Sequence, residues 1–239
     1  MKGLKATLEY TAYAIYKAAV DEEKEWRKKG NTSDINVMDR LLEEVRELGY
    51  HYRYFADITN RDNNDKNLLH LLLRYIGQFQ DEYFSAALVN VVGKKGNIAA
   101  TETILKSYMG SSNDNKHKHA AFYDNALNRI KDKRYLSSYM ELLKSPEDAI
   151  KLPLTMIMLG KWQLEEAKPF FFEYLNADML YHNKNTSDLV YISLEALSYY
   201  TDRDGIIMRA LENKLNSSDK DLVNVAQKAI NRLIKRNTH

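Results

Sequence analysis

The chain has 239 residues, with 35 Lys and Arg against 33 Asp and Glu, so its formal net charge at pH 7 is only +2. This balance excludes a strong long-range attraction to nucleic acid or to an anionic membrane, although it still allows a locally basic face. The sequence holds no cysteine, which excludes disulfides, thiolate zinc sites and cysteine nucleophiles.

Helices are the expected elements, because 9 Gly and 3 Pro are too few turn residues for a many-stranded β protein of this length. Apolar residues recur at helical spacing and predict helices over residues 4–28, 34–48, 64–78, 81–93, 97–109, 116–131, 134–144, 146–159, 162–176, 187–201, 204–216 and 219–236. Pro153 and Pro169 fall inside two of them, where each should kink the helix or mark an early break. No apolar segment is long enough to span a membrane and no leader-like segment is present, so we expect a cytoplasmic protein.

Short polar clusters precede several of the predicted helices. Ser, Thr, Asn and Asp stand together at 31–34, 185–188 and 216–219, and Ser145 is followed by Pro146 at the first helical position. Such side chains accept hydrogen bonds from the free N–H groups of the first turn, and proline lacks the N–H that would be unpaired there. These clusters therefore predict helix N-caps.

A repeating pattern runs along the second half of the chain. Four short polar turns begin at Gly93, Lys131, Gly160 and Tyr200, at intervals of 38, 29 and 40 residues. The residues one and four positions before each turn and eleven positions after it are all apolar or aromatic; they are Val92, Ile130, Leu159 and Tyr199, then Val89, Leu127, Met156 and Ala196, then Ile104, Leu142, Phe171 and Leu211. Intervals of this length are typical of helix pairs that stack into solenoids.

Helix pairs with apolar residues at matching offsets, joined by turns such as Gly160-Lys161-Trp162-Gln163, resemble HEAT-type repeats of the armadillo-like superfamily over roughly residues 64–236. The resemblance implies an all-α, right-handed α-solenoid of antiparallel HEAT-like helix pairs, and it assigns no activity. Residues 1–62 fit the repeat poorly and are interpreted as a divergent N-terminal cap. The repeats, 63–239, are expected to continue from the cap as one elongated domain.

No catalytic, cofactor-binding or metal-binding constellation is found in the sequence, so we predict a protein that is not an enzyme. Gly93-Lys94-Lys95-Gly96 is the nearest match to a phosphate loop, but it joins two predicted helices and follows no strand. His117 and His119 lie two residues apart, where helical side chains diverge, so they do not predict a shared metal.

One enzyme alternative comes from the resemblance. Some HEAT-like proteins of similar length are DNA glycosylases for alkylated bases, which need a strongly basic concave cleft with aromatic side chains and an acidic catalytic residue. This chain has only Trp26 and Trp162, and its charge is nearly balanced. Both features disfavour that activity.

The preferred hypothesis is a non-enzymatic scaffold, or a regulatory or neutralising protein, whose concave face binds another protein. The residues thirteen positions after each turn are polar and should stand off the core on the second helix of each pair. We call Lys106, Lys144, Glu173 and Asn213 the ladder. Tyr181 and His182 lie in the segment 177–185 and are not residues that a solvated loop needs. The segment either packs onto the body of the protein, which we favour, or presents a second candidate contact to a partner.

The alternative hypothesis is a nucleic-acid-binding solenoid, similar to a repair glycosylase. It rests on basic residues that gather in repeat turns and at helix ends, namely Lys94, Lys95, Lys116, Lys118, Arg129, Lys131, Lys133 and Arg134. The near-neutral net charge makes this alternative the weaker one.

Overall fold

The computed structural model describes residues 2–29, 31–60, 64–177, 186–202 and 204–237. Over these ranges the chain is all helical, with no strand, which confirms the predicted all-α class. The fourteen α-helices are α1 Lys2–Lys29, α2 Thr32–Glu47, α3 Phe55–Thr59, α4 Lys66–Tyr75, α5 Glu82–Val92, α6 Thr101–Gly110, α7 Asn113–Ile130, α8 Leu136–Lys144, α9 Pro146–Lys151, α10 Pro153–Lys161, α11 Lys168–Leu175, α12 Thr186–Leu197, α13 Ile206–Glu212 and α14 Lys220–Asn237. Short 3-10 helices cover Ile98–Ala100, Lys133–Tyr135 and Asn213–Asn216. None of the described helices combines the length and the apolar character needed to cross a membrane.

The chain divides into two compact units, Met1–Ile130 and Lys131–His239. In the first unit, α5 packs against α3, α4 and α7, and eight of its eleven residues are buried. In the second unit, α9, α10, α11 and α14 all pack against α12. Each unit is thus built around one helix with neighbours on several sides, as a predominantly apolar helix requires. The predicted cap boundary after residue 62 stays a prediction.

Several helix starts are capped at the predicted polar clusters. Asn31 Oδ1 accepts a hydrogen bond from the Ser33 N–H at 2.7 Å, at the start of α2. Ser145 Oγ accepts one from the Asp148 N–H at 3.2 Å, and Pro146 occupies the first position of α9. The prediction of N-caps at these two clusters is confirmed. Removing a serine cap of this kind costs about 1 kcal/mol of stability.

The two internal prolines break their predicted helices. The predicted helix 146–159 is split at Leu152, whose φ of −121° and ψ of 51° are not helical, and Pro153 then starts α10. The predicted helix 162–176 starts only at Lys168, so that Pro169 lies in its first turn. In both positions the missing proline N–H leaves no hydrogen bond unmade, which explains why a break is favoured over a kink.

The short helix α3 was not predicted. Asp57 is buried in it and accepts hydrogen bonds from the backbone N–H groups of Arg53 and Tyr54, at 2.8 and 3.0 Å. The Tyr16 hydroxyl of α1 donates to the other oxygen of the same carboxylate, at 3.0 Å. A five-residue helix is too short for a hydrophobic period, and contacts from elsewhere in the chain hold it.

The repeat positions form the core of both units. Eleven of the twelve apolar positions that define the repeat are at most 5% exposed, and only Tyr199 is half-buried. The Tyr199 ring packs instead against the guanidinium of Arg232, 4.6 Å from its centroid. The predicted inward face of the helices is therefore confirmed.

Two turn glycines allow close helix crossings, one in each unit. A Cβ added at Gly93 would lie 2.3 Å from the Cβ of Ala126, where α5 meets α7. A Cβ added at Gly160 would lie 2.6 Å from both the Cα and the carbonyl oxygen of Ala196, where α10 meets α12. Only glycine fits at either crossing without movement of the neighbouring helix.

Candidate functional site

The four ladder side chains are exposed, and each follows a buried residue by two positions in the sequence. Lys106 and Lys144 keep 75% and 52% of their side-chain surface exposed, and Glu173 and Asn213 are also exposed. The residues two positions earlier, Ile104, Leu142, Phe171 and Leu211, are at most 3% exposed. Residues two positions apart on an α-helix point about 200° apart, so the buried residue fixes the outward direction of Lys106, Lys144 and Glu173. Asn213 instead begins the 3-10 helix Asn213–Asn216.

The two ladder lysines remain accessible despite their ion pairs. Lys106 Nζ lies 2.5 Å from the carboxylate of Glu102, and Lys144 Nζ lies 2.6 Å from that of Glu141. Exposed pairs on one helix contribute only about 0.3 to 0.5 kcal/mol, so a partner can recruit either ammonium group at little cost. Met109, 43% exposed, follows Lys106 by three residues and adds an apolar group to the same face of α6.

The eight basic residues of the alternative hypothesis are divided between the two units, and at least four of them contact groups of their own unit. Arg129 donates to the carbonyl and the side-chain oxygen of Asn90, at 3.0 and 2.7 Å, and burial lowers the pKa of its guanidinium. Arg134 binds both oxygens of the buried Asp132 carboxylate. The ammonium groups of Lys116 and Lys133 lie over the rings of Tyr108 and Trp162, at 4.9 and 5.4 Å. Nucleic-acid phosphates would have to compete with these contacts.

Lys94 and Lys95 line a cleft of about 520 Å³ in the first unit. Lys66 and His70, from the exposed face of α4, line the same cleft. Asn97 closes the turn by donating from Nδ2 to the carbonyl of Val92 at 2.8 Å. Three lysines and a histidine around one cleft can bind an anion.

Sequence reasoning missed Lys66 and His70. Lys66 and His70 are exposed on either side of the buried Leu68 and Leu69 of α4. Their four-residue spacing puts them on one polar face of the helix, and this spacing is the signal that could have identified them. What the sequence could not supply was the neighbour, since the turn at 93–97 is contributed by the end of α5.

Two predicted contact residues, Tyr181 and His182, lie outside the described residues. Among the residues that are described, no group of three or more His, Asp or Glu side chains is placed to hold a metal ion. His117 and His119 both lie in the first turns of α7. The predicted partner contacts therefore rest on the ladder alone.

Comparisons with protein-family models, with curated proteins and with solved structures returned no match to this chain. The resemblance to HEAT-type repeats accordingly rests on the residues of the repeat itself.

Proposed function

We propose that this chain is a non-enzymatic protein-binding scaffold. The observation that carries the proposal is the ladder, whose four polar side chains reach solvent at matched positions in both units. Its charges are mixed, because Glu173 stands among lysines. Mixed charge suits a protein surface, which presents both signs, whereas Glu173 would repel a phosphate backbone.

The proposal includes the arrangement of the helices, in which antiparallel HEAT-like pairs stack as a right-handed α-solenoid with the ladder on its concave face. Two features support it. The repeat positions are buried in both units, and each unit has a turn glycine in close contact with an alanine near the end of a later helix. Solenoids offer the extended curved surfaces that bind proteins.

Charge reversal on the ladder tests the proposed function. The partner is first captured with the wild-type protein and identified, and its binding is then measured with the double variant Lys106→Glu/Glu173→Lys. We expect at least a tenfold loss of affinity, because two rim charges would change from complementary to repulsive. The melting temperature should fall by no more than a few degrees, since both side chains are exposed.

A matched control is available on α1. Glu25 and Lys28 are exposed and form an ion pair with each other, so the double variant Glu25→Lys/Lys28→Glu reverses one charge of each sign away from the ladder. It should bind the partner as the wild type does. Unchanged binding by the ladder variant would instead remove the ladder as the interface.

The cleft formed by Lys66, His70, Lys94 and Lys95 favours a second candidate, a nucleic-acid-binding protein. In that case the chain should bind duplex DNA at micromolar affinity or tighter, with a steep salt dependence. The variant Lys94→Gln/Lys95→Gln should then reduce the slope of log affinity against log salt by about two, while Lys131→Gln/Lys133→Gln should have a smaller effect.

A further inference from the structure

A second cavity of the first unit, of about 260 Å³, lies between α1, α3 and the start of α5. Its walls are aromatic. Trp26 meets Phe84 edge-on, with 4.6 Å between ring centroids, and Phe55 and Tyr83 meet the same Phe84 ring at 5.2 and 5.5 Å. These contacts fix the rings relative to one another, so the cavity has a defined shape. We call it the aromatic cavity.

The charged groups of the aromatic cavity are carboxylates. Glu22, Glu23 and Asp81 line it, and its described lining contains no lysine or arginine. Glu23 is only 7% exposed. Its carboxylate accepts hydrogen bonds from the Ala56 N–H at 3.3 Å and from Arg27 Nε at 3.2 Å. Burial raises the pKa of Glu23, which reflects the cost of holding its charge there.

The other two carboxylates, those of Glu22 and Asp81, can still accept hydrogen bonds from a ligand. Asp81 Oδ1 accepts from the Tyr83 N–H at 3.0 Å, and Glu22 is exposed and makes no hydrogen bond or ion pair among the described residues. Burial raises the pKa of the Tyr83 hydroxyl, and the negative charges of Glu22 and Asp81 raise it further. The rim of the cavity therefore has a negative potential.

We propose that the aromatic cavity binds an organic cation, an ammonium or guanidinium group. The faces of Trp, Tyr and Phe rings attract a cation within about 6 Å, and tryptophan does so best. Carboxylates beside the rings add charge attraction, which strengthens as the cavity loses water. Each group of the cavity, ring or carboxylate, favours the same class of ligand.

Neutral and anionic ligands fit the cavity less well. An apolar ligand would desolvate Glu22 and Asp81 without neutralising them, and a phosphate would be repelled by both; the charge of Glu23 is already offset by Arg27. The volume of about 260 Å³ is below the usual range for drug-sized ligands, which suits a single cationic group. That group can belong to a free small molecule or to a lysine or arginine side chain of a protein.

Tryptophan fluorescence can test the proposal directly. The chain has two tryptophans, and Trp162 lies in the second unit against Tyr139, so the variant Trp162→Phe leaves Trp26 as the only reporter. This variant is titrated with choline and with its neutral isostere 3,3-dimethyl-1-butanol. Choline should change the Trp26 emission saturably and bind about tenfold more tightly than the isostere, since only choline carries a charge.

Two variants on α1 separate the carboxylates of the cavity from general charge effects. Glu22→Gln should weaken choline binding several-fold, while Glu25→Gln, which removes an exposed carboxylate that does not line the cavity, should leave it unchanged. Tyr83→Leu removes a ring while keeping much of its volume and should also weaken binding. In the variant Trp26→Phe, the remaining Trp162 should not respond to choline.

The source of the cation is identified by further titrations of the Trp162→Phe variant, with Nα-acetyl-lysine amide and Nα-acetyl-arginine amide. Saturation by the amides alone assigns the cavity to a protein side chain, and saturation by choline alone assigns it to a free quaternary amine. Saturation by both supports the shared chemistry. Equal affinity for choline and the neutral isostere, an unaltered affinity in Glu22→Gln, or no saturation by any of the three cations would overturn the proposal.

Discussion

The rings that line the aromatic cavity of the first unit differ in their surroundings from two buried tyrosines of the second unit. In the first unit, Trp26 and Tyr83 line a cavity beside carboxylates. In the second unit, Tyr174 and Tyr200 are 1% exposed, and their hydroxyls donate to the backbone carbonyls of Leu143 and Leu164, at 2.5 and 2.7 Å. These two tyrosines thus complete a packed core, as Tyr75 and Tyr108 do in the first unit, whereas the rings that line the aromatic cavity leave room for a ligand.

The charged groups that line a cleft of the second unit also differ from those that line the aromatic cavity. A cleft of about 420 Å³ in the second unit is lined by Glu165 and Lys168, which pair with each other at 3.5 Å. Asp202 lines it too, and accepts from the backbone N–H groups of Ile207 and Met208 at 3.2 and 2.8 Å. Charges that are matched within the chain serve structure. Of the carboxylates that line the aromatic cavity, Glu23 is matched by Arg27, whereas Glu22 and Asp81 form no ion pair among the described residues and indicate a ligand.

The largest expected effect distinguishes the filled core from the open cavity. Phe171 is fully buried, and Phe171→Ala should lower the free energy of unfolding by about 3 to 5 kcal/mol. Tyr83, 46% exposed beside an existing cavity, loses fewer contacts, and Tyr83→Ala should cost about 1 kcal/mol. Urea denaturation of both variants measures the difference. Equal losses would show that the cavity is as tightly packed as the core.

The glycine crossings should be intermediate in effect. Gly93→Ala and Gly160→Ala should each cost about 1 to 3 kcal/mol, because the added methyl group pushes the helices apart. Ala126→Gly should partly restore Gly93→Ala, since the nearest obstacle there is a side-chain Cβ. Ala196→Gly should restore Gly160→Ala less, because the nearest obstacles are backbone atoms. Thermal denaturation of the four variants tests this order, which rescue of equal size at both crossings would contradict.

The sequence predicts those parts of the fold that depend on local pattern. The period of apolar residues located the long helices and the inward positions such as Ile104 and Leu142, and both prolines marked helix breaks. The ladder positions follow from the same geometry, because an outward position is fixed once the inward one is known.

Contacts between distant segments could not be predicted in this way. Arg129 donates a hydrogen bond to Asn90, which lies 39 residues away in the sequence. Only the folded chain therefore shows that the guanidinium of Arg129 is already engaged and poorly placed to bind phosphate. The aromatic cavity joins Trp26, Phe55 and Phe84 from three helices. No single segment of the sequence carries that combination, and tertiary packing alone brings the rings together.

Two buried tyrosines of the second unit give the smallest expected effects, of opposite sign. The Tyr139 hydroxyl is buried and has no hydrogen-bond partner among the described residues, so Tyr139→Phe should leave stability unchanged or raise it by about 1 kcal/mol. Tyr200→Phe removes the hydrogen bond to Leu164 and should cost about 1 kcal/mol. Chemical denaturation of the pair measures both. A clear loss of stability in Tyr139→Phe would contradict the assignment of an unsatisfied hydroxyl.

Photo-crosslinking to the captured partner tests the proposed binding surface most directly. A photoreactive amino acid is placed in turn at Lys106, Lys144, Glu173 and Asn213, and at the exposed basic residues Lys118 and Lys131 as controls. We predict crosslinks to the partner from the ladder positions and none from the two controls. Crosslinks from Lys118 and Lys131, with none from the ladder, would contradict a ladder-based protein scaffold.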